Sequence, residues 1–213
     1  MRAAQRGLTL LELMAAVAVL GVLIALAVPS LQGGINSRRM SGAQRAIFLE
    51  AQEARMQARS SRQPVRLSII QSADGSGRVG PALRWERLDC ANAAEDKWGS
   101  QCPIPACLTQ ACGTGGCTCT EMGTPVPIPP NLDASSLEGL CWLGGTARVV
   151  AKSGTTTCGT GNPTPAAGTL RLRQGDGVGN YTVDQVFSLN ALTGTLKAVD
   201  CTSTPRPSEC PAL

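Results

Sequence analysis

The chain has 213 residues, of which 43% are hydrophobic and 3% aromatic, and it contains ten cysteines and no histidine. Without histidine, neither Ser-His-Asp nor Cys-His catalysis nor a histidine metal ligand is available. The net charge of +4 is unevenly distributed, because residues 1–66 hold nine arginines against three acidic residues and the remaining residues have a net charge of −2. This distribution does not indicate a basic nucleic-acid-binding domain.

A long apolar segment lies near the N terminus. From Leu8 to Val28 only two of 21 side chains are polar, Thr9 and Glu12. This length suffices to cross the apolar core of a bilayer, which needs about 20 residues. A charge at the centre of a membrane costs about 2.5–3.5 kcal/mol, so the carboxylate requires an explanation.

The same segment allows a second interpretation. Ala25-Leu-Ala27 resembles a signal-peptidase site, and cleavage there would release a secreted protein that begins at Val28. Against this, the apolar run contains Glu12 and is longer than the about 7–15 residues of a signal core.

The segment from Ile35 to about Ser60 has helical periodicity. Its arginines lie mostly off one apolar face, which comprises Ala43, Ile47, Ala51, Ala54 and Ala58. We therefore expect one long helix from Leu8 to about Ser60, whose second half packs on a globular domain.

After Pro64 the period changes to two, which predicts β-strands. Asp74-Gly75 with Gly77 predicts a hairpin turn. The predicted strands cover residues 65–70, 81–88, 147–152, 169–173, 181–189 and 195–199. The segment from Asp89 to about Leu140 lacks a period and is expected to be a disulfide-knotted excursion on the surface.

The cysteines all follow the apolar run, at Cys90, Cys102, Cys107, Cys112, Cys117, Cys119, Cys141, Cys158, Cys201 and Cys210. An even number in a Gly/Thr/Pro-rich region favours disulfides formed in an oxidising compartment. A metal site is the alternative, but no Cys-x-x-Cys pair is present. Cys201 and Cys210 are expected to pair because they are close in sequence.

Two glycine-rich motifs favour turns. Gly75-x-Gly77-x-x-Gly80 precedes a strand, whereas a phosphate-binding loop precedes a helix. The loop from Gly175 to Asn180 offers Asp176 and Asn180 as oxygen donors but lacks the acidic ladder of a calcium loop. Calcium binding there is left open.

The hexapeptide from Gly7 to Glu12, followed by an apolar run, resembles the processing site of type IV pilins and pseudopilins. The Arg/Ala-rich helix and the strand after it are most similar to minor members of the FimT/FimU/GspH type. The resemblance implies that prepilin peptidase cleaves between Gly7 and Leu8 and methylates Leu8. It implies that Glu12 pairs with the N-terminal amine of a neighbouring subunit during assembly, and that the helix kinks at Gly21 and Pro29.

The implied organisation is a leader (1–7), a helix (8–60) with a transmembrane and assembly segment (8–28), and a β-rich head (61–213) with a cysteine-rich insertion (about 89–140). The implied fold is α+β and pilin-like, with the helix on an antiparallel sheet. The protein would be a subunit without enzymatic activity, cofactor or metal, in a type IV pilus or type II secretion pseudopilus, at a tip or in an initiation complex.

The resemblance also implies partners and a location. The partners would be prepilin peptidase, the major pilin and other minor subunits, with a tip adhesin as a further candidate. The chain would cross the bacterial inner membrane once, with its head in the periplasm, before it enters a pilus or pseudopilus at the cell surface. The alternatives are the secreted protein described above and a DNA-binding minor pilin, which the net charge of −2 after residue 66 disfavours.

Overall fold

The computed structural model describes residues 10–73, 75–90, 102–145, 148–165, 170–175, 181–190 and 192–210. These residues include two short 3₁₀ helices, Pro105–Leu108 and Ser135–Leu137. The chain divides into two units, Met1–Ser41 and Gly42–Leu213. The other elements are, in chain order, α1 (Leu10–Ser61), β1 (Val65–Ala73), β2 (Val79–Leu88), β3 (Cys119–Met122), β4 (Val126–Pro127), β5 (Leu132–Asp133), β6 (Cys141–Trp142), β7 (Val149–Val150), β8 (Leu170–Gly175), β9 (Tyr181–Asn190) and β10 (Thr195–Asp200).

The long helix is present as α1, with 52 residues. It continues through Gly21 and Pro29 without interruption, and the kink at these residues stays a prediction. It ends where Arg62 adopts the left-handed conformation, with φ at +58°. Pro64 follows, and a proline has no N–H with which to extend the helix.

The buried face of the second half of α1 is the predicted one. Ile47, Ala51, Ala54 and Ala58 are each 0% exposed, and Ala43 is half-buried. Three of the four fully buried side chains end at Cβ, so this face of the helix presents little side-chain bulk to the head. The helical period of small apolar residues therefore predicted this packing face correctly.

In the described part of the head, the strands form two antiparallel sheets. The first has the order β3-β2-β1-β6-β7, with β4 also paired to β2, and the second has the order β10-β9-β8-β5. The predicted hairpin joins β1 to β2, in a register that runs from Val65 opposite Arg87 to Ala73 opposite Val79. Gly77 lies in its turn with φ at +80°, a conformation that favours glycine. The α+β class with antiparallel strands is confirmed.

The later strands agree with the period-two pattern. The predicted strands at 169–173, 181–189 and 195–199 are β8, β9 and β10. The predicted strand at 147–152 is reduced to the two residues of β7.

The segment from Asp89 to Leu140 carries three disulfides, and most of its described residues are exposed or half-buried, but it has more regular structure than its missing period indicates. This segment contributes β3, β4, β5 and both 3₁₀ helices. Cys107 and Leu137 are 0% exposed and Cys117 is 1% exposed. The segment packs into the core because its cysteines and apolar side chains cover a face of the first sheet that would otherwise be exposed.

Candidate functional site

The N-terminal half of α1 presents an apolar surface. Eight of its large apolar side chains are between 56% and 79% exposed, namely Leu10, Leu13, Met14, Val17, Val19, Leu20, Val22 and Leu23. Gly7 and Leu8 lie outside the described residues, and Glu12 lies on α1. Among the described residues, no helix combines the length and the apolar character that crossing a membrane requires.

The C-terminal half of α1 contacts both sheets of the head. On the second sheet, the rings of Phe48 and Phe187 are 5.4 Å apart between centroids. Beside them, the Gln52 amide donates to the carbonyl oxygen of Leu196 at 2.8 Å, and Arg55 Nε donates to that of Thr193 at 3.1 Å. The turn between β9 and β10 is therefore held against the helix by side chains of the helix.

The contact of α1 with the first sheet includes a buried carboxylate, that of Glu50. Strand β2 pairs with β3 from Glu86 onward and with β4 up to Leu83, and Trp85 lies between these two stretches. Glu50 Oε1 accepts a hydrogen bond from the Trp85 N–H at 3.1 Å. Burial raises the pKa of Glu50 above its ordinary value. The hydrogen bond from the Trp85 N–H lowers this pKa in part, whereas the negative charge of Glu53 raises it further.

All ten cysteines are paired in disulfides. The pairs are Cys90–Cys102, Cys107–Cys117, Cys112–Cys119, Cys141–Cys158 and Cys201–Cys210. The sulfurs of Cys112, Cys117 and Cys119 lie within 4.8 Å of one another. Because these sulfurs belong to disulfides, they are not available as thiolate ligands, and the alternative of a cysteine metal site has no support in this arrangement.

The two faces of the first sheet have different partners. Leu67 lies opposite Trp85 in the β1–β2 register. The Trp85 indole lies towards α1, because its Nε1 and Glu50 Oε1 are both within 2.5 Å of the position that a Cβ at Gly123 would take. Arg66 lies opposite Glu86, and because successive side chains alternate, this pair occupies the other face. That face carries the disulfide cluster of Leu88, Cys107, Cys117, Cys141, Val150 and Cys158.

An ion network lies between the first sheet and the cysteine-rich insertion. The carboxylate of Glu86 accepts from Arg66 Nε at 2.9 Å, from the Ser68 hydroxyl at 2.8 Å and from Arg84 Nη2 at 2.7 Å. The side chain of Glu86 is 1% exposed. Burial by itself raises the pKa of Glu86, but the Arg84 hydrogen bonds, the Arg66 charge and Ser68 together lower it below its ordinary value.

Arg66 extends this network into the insertion. Its Nη1 donates to the carbonyl oxygen of Cys107 at 2.8 Å and to the Thr157 hydroxyl at 3.2 Å, and its Nη2 lies 3.7 Å from Cys112 Sγ. One guanidinium thus joins β1 to two separate segments of the disulfide region. The alternation of β1 places Arg66 opposite to Val65 and Leu67, but it does not indicate that this face is covered.

The two glycine-rich motifs fall on different parts of the head. The glycine motif at Gly75 to Gly80 spans the β1–β2 turn and the start of β2 and is followed by a strand. The calcium candidates Asp176 and Asn180 lie outside the described residues. Sequence reasoning missed Glu50 and Glu86, whose only signal was an acidic residue within an otherwise apolar or basic surrounding.

Comparison with known families matches residues 2–28 to the prokaryotic N-terminal methylation motif. No curated protein and no solved structure matches the chain. The motif is a signal for prepilin peptidase and indicates a type IV pilin-like protein.

Proposed function

We propose that the chain is a minor pilin or pseudopilin, a structural subunit of a type IV pilus or of a type II secretion pseudopilus. The observation that carries this proposal is the methylation motif at residues 2–28, which overlaps the start of a 52-residue helix. We assign the protein no catalytic activity of its own. Its work is assembly, with the bacterial inner membrane as its location before it enters the filament.

The exposed apolar side chains of α1 support the anchoring step. Large apolar side chains from Leu10 to Leu23, each more than half exposed, are unfavourable in water. Lipid would cover them before assembly, and the helices of other subunits would cover them in the filament. Cleavage after Gly7 places a new amine one helical turn before Glu12, and this carboxylate pairs with the amine of a neighbouring subunit.

The cysteine-rich insertion supports a position at a tip or in an initiation complex. It is held on the face of the first sheet that lies opposite to α1, through Arg66 and the disulfide cluster. An additional layer on this face makes the head bulkier than the helix and sheets alone, which hinders regular repetition along a shaft. The disulfides also require an oxidising compartment, which supports a periplasmic location for the head.

The first experiment determines the N terminus of the mature protein by mass spectrometry, in membranes and in sheared filaments. We expect a chain that begins at methylated Leu8. In Gly7→Val, the larger side chain before the cleavage point should leave the leader attached and exclude the protein from filaments. A mature chain that begins at Val28 would support the secreted protein and refute the pilin proposal.

A second experiment tests the role assigned to Glu12. We expect Glu12→Gln to be cleaved and inserted normally but recovered in sheared filaments at about one tenth of the wild-type amount or less, because the charge pair is lost. Glu53→Gln, an exposed position on the same helix, is the matched control and should assemble normally. Equal recovery of both variants would contradict the assembly role of Glu12.

A further inference from the structure

The five disulfides differ in their surroundings. The bridges Cys107–Cys117 and Cys141–Cys158 are buried, with every cysteine at most 1% exposed. Cys112 and Cys119 are only partly buried and pack on the outside of this cluster. A thiol in solution can therefore approach the Cys112–Cys119 bridge, whereas the two inner bridges require opening of the core.

The Cys112–Cys119 bridge also has an asymmetric charge environment. Arg66 Nη2 lies 3.7 Å from Cys112 Sγ. Glu86 and Arg84 continue the network around this guanidinium, and on the side of Cys119 the Asp89 carboxylate accepts from the Thr120 hydroxyl. Negative charge that develops on the sulfur of Cys112 is stabilised by this guanidinium, so Cys112 is the better leaving group of the pair.

We propose that Cys112–Cys119 is an exchange-competent disulfide that reacts with small-molecule thiols, with Cys119 as the attacked sulfur and Cys112 as the leaving group. The thiolate of the small thiol forms a bond to Cys119 Sγ. The bond between the two protein sulfurs breaks, and its electron pair remains on Cys112 Sγ beside Arg66. The products are a mixed disulfide at Cys119 and a thiolate at Cys112, without any net oxidation or reduction.

The exchange does not pass on to the buried bridges. The thiolate of Cys112 has the sulfur of Cys117 within 4.8 Å, and attack on it would release Cys107. Cys107 is 0% exposed, and a thiolate at a fully buried position is unfavourable. Return of Cys112 to Cys119, with expulsion of the small thiol, is therefore the favoured next step.

The test exposes the full-length protein in detergent micelles briefly to reduced glutathione and traps free thiols with N-ethylmaleimide. After acidification and pepsin digestion, mass spectrometry locates both labels. We expect glutathione on Cys119 and maleimide on Cys112, formed about tenfold faster than opening of the partly exposed bridge Cys90–Cys102. Glutathione on Cys112, early labelling of Cys107, or equally fast opening of Cys90–Cys102 would each overturn the proposal.

Two variants test the role of Arg66. Arg66→Lys keeps a cation for Glu86, but a single nitrogen cannot reach Glu86, Cys107 and Cys112 together, so the rate advantage over Cys90–Cys102 should fall about fivefold or more. Arg84→Lys is the matched control, because Arg84 bonds to the other carboxylate oxygen of Glu86, and it should keep the advantage. If Arg66→Lys does not fold, the position of glutathione in the wild-type protein still decides the proposal.

Discussion

The substitution Glu86→Gln tests whether the buried ion network holds the insertion on the sheet. Glu86 Oε2 accepts from Arg66 and Ser68, and Oε1 accepts twice from Arg84. A glutamine has nearly the same shape, but whichever way its amide is oriented, the NH₂ group faces a donor. The change therefore removes the charge, loses at least one hydrogen bond and leaves two arginines without their anion.

The expected cost follows from the burial of the two arginines. Removal of one partner from a buried ion pair destabilises a protein by about 3–5 kcal/mol. The side chain of Arg66 is 5% exposed and that of Arg84 is 19% exposed. Because Arg84 can turn towards water, we expect a loss at the lower end, about 3 kcal/mol, which lowers the Tm by about 6–12 °C for a protein of this size.

The assay is denaturation of the oxidised full-length protein in detergent, followed by circular dichroism. The control is Glu138→Gln, which breaks the pair with Lys152 at 3.3 Å, where the side chains are 48% and 39% exposed. This exposed pair should contribute less than about 1 kcal/mol. A loss below about 1 kcal/mol for Glu86→Gln would refute the role of the network.

The pH dependence gives an independent check of the same reasoning. Because the pKa of Glu86 is lowered in the fold, its charge contributes stability above the unfolded-state pKa of about 4.3, and this contribution is lost as the pH falls through the lower folded-state value. The difference in stability between wild type and Glu86→Gln should be constant near neutral pH and shrink in acid. A difference that persists unchanged to about pH 2 would contradict the argument.

Two further predictions concern the contact of α1 with the first sheet. A Cβ atom at Gly144 would lie 2.0 Å from the backbone oxygen of Arg62, which directly follows α1, so Gly144→Ala should destabilise the head by at least about 3 kcal/mol in urea denaturation. The control is Gly80→Ala, which has open space around it and should change the stability by less than about 0.5 kcal/mol. Because burial raises the pKa of Glu50, ionisation of this carboxyl opposes folding, and Glu50→Gln, which keeps an acceptor for the Trp85 N–H, should stabilise the protein by up to about 1 kcal/mol at pH 7. This gain should decrease towards about pH 4, where the wild-type carboxyl is protonated. A loss of stability at pH 7 would contradict the argument.

Local sequence patterns predicted the elements that depend on nearest neighbours. The spacing of Ile47, Ala51, Ala54 and Ala58 predicted the buried face of α1, since a helical period is visible over a dozen residues. The Asp-Gly turn and the alternation around Leu67 predicted the β1–β2 hairpin for the same reason. The resemblance around Gly7–Leu8 identified the motif that the family comparison also matches.

Elements that depend on distant contacts could not be predicted in this way. Strands β4 to β7 have two residues each, which is too short for any period to be recognised. The cover over Arg66 and Glu86 depends on the pairing of ten cysteines, and sequence alone does not fix that pairing. An alternating strand shows which side chains share a face, but it does not show whether a distant loop covers that face.

The disulfides also account for a core with few aromatic residues. Only 3% of the chain is aromatic, so few large rings are available to fill the core. The disulfides take a central place in it, because Cys107, Cys117, Cys141, Cys158 and Cys201 are at most 3% exposed. Four of these five sulfurs lie in one cluster with Leu88 and Val150, where they occupy space that apolar side chains fill in other domains. On this face of the sheet the disulfides therefore contribute both cross-links and buried apolar volume, so reduction should loosen the packing under Arg66 as well as the covalent connections.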